Sequence, residues 1–223
     1  QLSIHAPYYI SMSSLEEEKR QRSVEYVLQS AQAVAALGGD RIVIHTGSCG
    51  KISRAQALDL CRETMRACIA RLDAEGLGQI HMCPETMGKL NQLGTLEEVL
   101  ELCRLDDRIL PCVDFGHLNA RTYGGLSQPG AVREIFDRME NVLGLDRMRL
   151  FHAHFSRIEY TVPGGEKRHW TFADTQYGPE FEPVADLILQ KGCTPTLICE
   201  SAGTQAEDAA QMRDIYLERG GSL

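Results

Sequence analysis

The chain has 223 residues, 43% of them hydrophobic and 24% charged, a length and balance that fit one sizeable soluble core. Its net charge of −8 gives no general attraction to nucleic acid, so a phosphate-bearing partner would have to be held by local cations or by metal. No run of about eighteen apolar residues marks a membrane span, and no basic, apolar leader opens the sequence.

Short apolar runs alternate with helical patterns from the first residues onward. A strand over 2–7 carries His5, and a helix over 14–37 starts at Ser13 or Ser14 before LEEE and closes on Gly38 and Gly39. A strand over 41–47 carries His45, and the helix over 53–75 starts at Ser53 and ends before Gly76. The strand over 79–86 carries Glu85, and Thr95 opens a helix over 95–105. A strand over 108–116 carries Asp114, with His117 just beyond, and a helix follows over 129–143. His154 lies near the end of a strand over 148–156, and a helix over 179–191 follows a loop. The last strand, 194–201, carries Glu200 ahead of a helix over 204–218. Cysteines fall on apolar strands and helix faces with no CxxC pair, which predicts reduced, buried thiols in a cytoplasmic protein.

This order predicts an α/β fold with right-handed crossovers and a parallel sheet. No GxGxxG or P-loop follows a strand, so a TIM (β/α)8-type barrel is the favoured closure, with 1–223 as one barrel domain. Such a barrel typically runs to ~250 residues. Six strand units are visible, and the chain starts abruptly on a strand, so the first two βα units are expected to lie upstream.

Every one of these strands ends in His, Asp or Glu, on the parity that faces a barrel interior. Converging carboxylates repel one another and are costly to desolvate, so acids beside imidazoles point to divalent cations. Imidazole with carboxylate suits zinc, manganese or iron rather than calcium, and the number of donors exceeds what one zinc needs. Cys49 lies near His45 but is not expected to ligate, and His81 and His152, deeper in their strands, are read as packing or supporting residues.

The motifs SIHAPYYI, IVIHTGS, CPETMGK, CVDFGH, HFS, KRH and CES resemble those of the endonuclease IV family of apurinic/apyrimidinic endonucleases, in order and spacing, from His5 to Glu200. That resemblance implies a zinc site on His5 and His45, a second on Asp114, His154 and Glu200, and Glu85 bridging them as the catalytic carboxylate. It implies a third ion on His117 and on an Asp-x-His pair, where this chain has His169 but Lys167 in place of the Asp. A charged lysine cannot ligate, so the third site is expected to be empty, weak, or completed by Glu166 or Asp174. Two ions ~3.5–4 Å apart can activate water and polarise a phosphodiester. The implied reaction is cleavage of damaged double-stranded DNA 5′ to an abasic site, leaving a 3′-hydroxyl.

For DNA binding the resemblance implicates Tyr8, with Tyr9 in the adjoining wedge position and Arg168 on phosphate. Lys51, Lys89, Arg121, Arg157 and Lys167 also fall on loops expected at the site. A sugar isomerase or epimerase of the same barrel superfamily is the main alternative. It would use Glu85, Asp114, His154 and Glu200 around one manganese-like ion and leave His5, His45, His117 and His169 surplus. A third reading is a non-catalytic chain whose sheet edges promote association. No membrane contact or protein partner is indicated.

Overall fold

In the computed structural model, which describes residues 1–222, strands and helices alternate and the main strands pair in parallel. The chain divides into two compact units, Gln1–Met87 with Asn91–Cys112, and Gly88–Leu90 with Val113–Leu223.

The first unit holds β1 (Ser3–His5), α1 (Glu17–Ala36), β2 (Arg41–Ile44), α2 (Arg54–Ala74), β3 (His81–Pro84) and α3 (Leu96–Cys103). Its strands lie in the order β1-β2-β3, with His5 opposite Val43 and Val43 opposite Cys83. Alternation sets the two faces of this sheet. Val43 and Cys83 join Leu110 and Cys112 in one buried cluster, while Ile42 and Ile44 are buried on the other face. The expected parity of His45 with Val43 therefore holds. On α1 the buried residues Val27, Ala31 and Val34 recur at helical spacing, as do Cys61, Cys68 and Leu72 on α2, and the two helices pack together.

Helix starts follow local chemistry. Ser53 with Gln56, and Thr95 with Glu98, form complete capping boxes. The α1 start differs from expectation: Glu16 is the N-cap and makes no side-chain cap, while Ser14 accepts the Glu16 N–H at 3.1 Å. Glu98 does more than cap. Burial opposes its charge, but Arg54 and the N–H groups of Gly94 and Thr95 outweigh that and hold its carboxyl below the usual carboxylate range. A depressed folded pKa means that this contribution is complete above the unfolded carboxylate pKa and disappears as pH falls through the folded value. Glu98→Gln should therefore cost about 1–2 kcal/mol at neutral pH, given the charge-assisted bonds lost. In urea melts the gap from wild type should begin to narrow at about pH 4, the ordinary glutamate range, and close only at lower pH, below the depressed folded value.

The second unit carries β4 (Cys112–Asp114), α4 (Phe115–Arg121), α5 (Ala131–Leu143), α6 (Leu145–Met148), β5 (His152–Phe155), β6 (Arg157–Thr161), β7 (Gly165–Trp170), α7 (Glu182–Lys191), β8 (Thr196–Cys199) and α8 (Gln205–Glu218). The parallel sheet runs β4-β5-β8, and β6 and β7 form a separate antiparallel hairpin. All six phenylalanines of the chain lie here in one connected cluster. Phe155 is its centre, with ring centroids 5.0 Å from Phe181, 5.6 Å from Phe172 and 6.3 Å from Phe115.

Three expectations are corrected in this unit. The strand expected over 108–116 is cut short at Asp114, because that residue caps α4 and the helix begins at once. The strand expected from 148 starts at His152, because Leu145–Met148 is a helical turn. The segment expected as a loop after β5 is the β6–β7 hairpin, turning at Val162-Pro163-Gly164. All eight cysteines are reduced thiols; burial pushes the Cys68 and Cys83 thiols up to about 12. Among the described residues no helix is long and apolar enough to cross a membrane.

Candidate metal centre

In the first unit the ends of β1, β2 and β3 bring His5, His45 and Glu85 together. Each imidazole places Nε2 3.1 Å from the same Glu85 oxygen, Oε2, and Glu85 is only 1% exposed. His5 Nδ1 lies 2.7 Å from the Ala6 carbonyl, which assigns its proton to that nitrogen and leaves Nε2 as an acceptor. The ligand atoms lie within 4.8 Å of one another, and a tetrahedral zinc has ligand-to-ligand edges of about 3.3 Å at ordinary Zn–N and Zn–O lengths. The donors fit such an ion.

Gly47 helps to set His45. Its φ is +101°, and a Cβ there would stand 2.3 Å from Ser13 Oγ. That hydroxyl accepts the Ser48 N–H and donates to the Ser48 carbonyl, tying the loops after β1 and β2 together. Beside them is a cleft of about 450 Å³ lined by Tyr8, Tyr9, His45, Ser48 and Lys51 among others. Tyr8 is 81% and Tyr9 56% exposed, and the Tyr9 ring rests on Tyr26 with centroids 5.0 Å apart.

In the second unit the Asp-x-x-His sequence is a helix cap. Asp114 Oδ1 accepts the His117 N–H at 2.6 Å, which places the N-cap and third helical residue side by side. The other oxygen, Oδ2, lies 3.3 Å from His117 Nδ1 and 4.0 Å from His154 Nδ1. His154 Nδ1 is in turn 3.1 Å from Glu200 Oε1. Asp114 is fully buried and His154 nearly so. His152 is also fully buried, edge-on to His154, and His81 holds the Arg108 carbonyl through Nδ1 at 2.8 Å.

A second convergence forms where α4 meets the hairpin. His117, Glu166 and His169 offer ligand atoms within 4.8 Å of one another, and Ser156 Oγ sits 2.8 Å from His169 Nδ1. The residue in the family's Asp position, Lys167, is not part of it. In the hairpin register Glu159 pairs with Arg168 and Tyr160 with Glu166, so Lys167 is the extra residue of a bulge. The bulge turns Lys167 and Arg168 to the same side, where both bind Glu159, at 2.5 and 2.8 Å. Glu166 and His169 are thereby left on the opposite side together. Gly88 makes room for this: a Cβ on it would stand 2.6 Å from the Glu166 Cβ. Alternation alone would pair Lys167 with His169; the bulge instead brings in Glu166, one of the two substitutes expected from the sequence, and the other, Asp174, is not in the group.

The basic residues have varied settings. Arg157 is committed to Glu180 and the Asp174 carbonyl, and Arg121 donates to the Lys89 carbonyl at 2.8 Å. Lys51 and Lys89 are exposed, and Arg168 covers the Trp170 ring at 4.2 Å. Cys49 is half-buried with its sulfur 3.5 Å from an Arg54 nitrogen.

Comparison with known proteins decides the family. Residues 1–216 match the xylose isomerase-like TIM barrel family. The chain belongs to that family. An uncharacterized protein of Methanocaldococcus jannaschii is 33% identical over 97% of this chain and 77% of its own length. A probable endonuclease 4 of Mycoplasma pneumoniae is 26% identical over 84% of this chain, which spans 63% of that relative. Among solved structures, a D-tagatose 3-epimerase-like protein gives a TM-score of 0.73 at 19% identity, covering 97% of this chain and 76% of that one. Endonuclease IV from Thermus thermophilus gives 0.66 at 17%, covering 97% and 74%. Both likenesses show the xylose isomerase-like barrel fold, and epimerase and endonuclease names occur side by side among its members. The resemblance to endonuclease IV carried by the motifs is matched by relatives of that name.

Proposed function

We propose that this family member is a metal-dependent phosphodiesterase of the endonuclease IV type, cutting DNA 5′ to abasic sites. The observation that carries the reading is His5 and His45 directed at one oxygen of buried Glu85. A sugar epimerase with one ion has no use for these two histidines, nor for the His117, Glu166 and His169 group. In this reading His5, His45 and Glu85 hold one zinc-like ion, Asp114, His154 and Glu200 hold another, and His117, Glu166 and His169 a third. Manganese is compatible with the same donors. When bound, the metals supply Lewis acidity and acidify water. The chain's residues orient the donors: Ala6 and Ser156 fix ring nitrogens, and Asp114 faces two imidazoles at once. Tyr8 and Tyr9 are exposed, as a wedge into duplex DNA has to be, which supports giving them that role, and the exposed Arg168 is assigned a phosphate contact. The eight reduced thiols accord with a cytoplasmic setting.

The test is incubation of metal-loaded protein with a duplex carrying one abasic site, beside an undamaged duplex. Scission at the lesion alone supports the reading; no scission, with epimerisation of a ketose instead, favours the alternative. The third group gives a sharper check. Glu166→Gln should release about one ion per chain and slow scission by roughly 10–100-fold, the scale for loss of a metal's support. Lys167→Ala should retain every ion, because its ammonium is held on Glu159. Elemental analysis of both variants after dialysis reads the difference.

A further inference from the structure

The chain's single tryptophan stands in a row of rings that the metal-ligating groups do not use. Trp170 lies 5.9 Å from Tyr177, Tyr177 lies 5.8 Å from Tyr160, and Tyr160 lies 6.4 Å from Tyr123, centroid to centroid. None of the four is fully buried. Tyr123 is 43% exposed and has φ +55°, the one positive φ outside glycine among the described residues. It is the residue just past the C-cap of α4, where a left-handed residue ends the helix and the Gly124 N–H donates back to the Asn119 carbonyl.

The other end of the row is cationic. The Arg168 guanidinium lies 4.2 Å over the Trp170 ring, with its side chain 60% exposed. Lys167 beside it is 55% exposed. Glu159, largely buried, takes Lys167 Nζ at 2.5 Å, Arg168 Nε at 2.8 Å and Trp170 Nε1 at 3.1 Å. One acid thus fixes two cations and an indole, and leaves an excess of one positive charge on a chain of net charge −8. Flat rings, an open guanidinium plane and anchored positive charge complement a ligand with flat faces and an anionic backbone.

We infer that the side of the hairpin carrying Lys167, Arg168 and Trp170 binds unpaired nucleic acid strand, stacking bases on Trp170 and its neighbour Tyr177 and holding phosphates with Lys167 and Arg168. The inference rests on the DNA-directed reading and adds to it a strand-holding platform outside the metal ligands. It explains why Lys167 and Arg168 share one side of the bulge: the register that frees Glu166 for the histidines also puts both cations on Trp170's side, on the common partner Glu159.

Because Trp170 is the sole tryptophan, its fluorescence reports on this surface alone. The protein is titrated at low salt with single-stranded oligothymidylate and with undamaged duplex, while a labelled strand reports binding by anisotropy. The expected result is saturable change in Trp170 emission with the single strand, a weaker response with duplex, and loss of both as salt rises. Tyr177→Leu should weaken single-strand binding roughly tenfold, the scale of one lost base stack. Trp170→Leu, read by anisotropy of the labelled strand, is the second variant if Tyr177→Leu folds poorly. Lys167→Gln and Arg168→Gln should each lower the salt slope by about one. Strand binding without a change in Trp170 emission, no binding to either nucleic acid, or an equal response to a free monosaccharide would overturn the inference. Abasic-duplex scission on the same preparation separates the two readings. Scission without an emission change removes the platform alone, and an emission change without scission removes the nuclease alone.

Discussion

Glu85→Gln should leave a folded protein that has lost one ion per chain and scission activity by about a hundred- to a thousandfold, comparable to loss of a transition-state-stabilising group. The carboxylate is 1% exposed and faces two imidazole nitrogens, each 3.1 Å from one oxygen. The amide keeps the shape of the side chain but gives up its charge, and a neutral amide oxygen is a much poorer partner for a dication beside two neutral imidazoles. Folding should be spared, because the backbone of Glu85 keeps its place in the parallel bridge to Cys112, and removing a buried charge lifts a desolvation cost. Metal content, nicking rate and circular dichroism of wild type and Glu85→Gln, compared side by side, check this. Unchanged metal and unchanged nicking would show that the trio is structural.

Phe155→Ala should be the most destabilising single change in the second unit, at about 3–5 kcal/mol, the range for truncating a buried phenylalanine. Phe155 is 1% exposed and its ring meets Phe115, Phe172 and Phe181. Those three come from α4, from the segment after the hairpin and from the start of α7, so a cavity at Phe155 loosens everything stacked on β5. The neighbouring His154 lies on the same strand, facing Asp114 and Glu200, so metal binding should weaken along with stability. Phe155→Leu, which keeps most of the volume, should recover more than half of the loss. Urea unfolding followed by circular dichroism measures both variants.

Much of this centre is legible in the sequence because strand parity is a rigid rule. His5, His45 and Glu85 are found from alternation alone: Val43 and Cys83 are inward, and the residues two places on follow them. Asp114 and His154 follow in the same way. What the residues did not disclose lies where that rule is interrupted. Asp114 ends a strand and caps a helix in one step, so α4 was hidden inside an apolar run. The alternation of RIEYT and EKRHW around Pro163-Gly164 is a hairpin signal, but the bulge at Lys167 shifts its parity. Glu166 is therefore legible as a candidate ligand, but its place beside His169 follows only from the bulge.

Imidazoles and carboxylates gathered this closely call for cations to hold them. The direct measurement is elemental analysis of the purified protein after loading with zinc and exhaustive dialysis. Two or three ions per chain are expected, with at least one lost in His5→Ala. One ion or none in the wild type, or a wild-type count that survives His5→Ala, would contradict it.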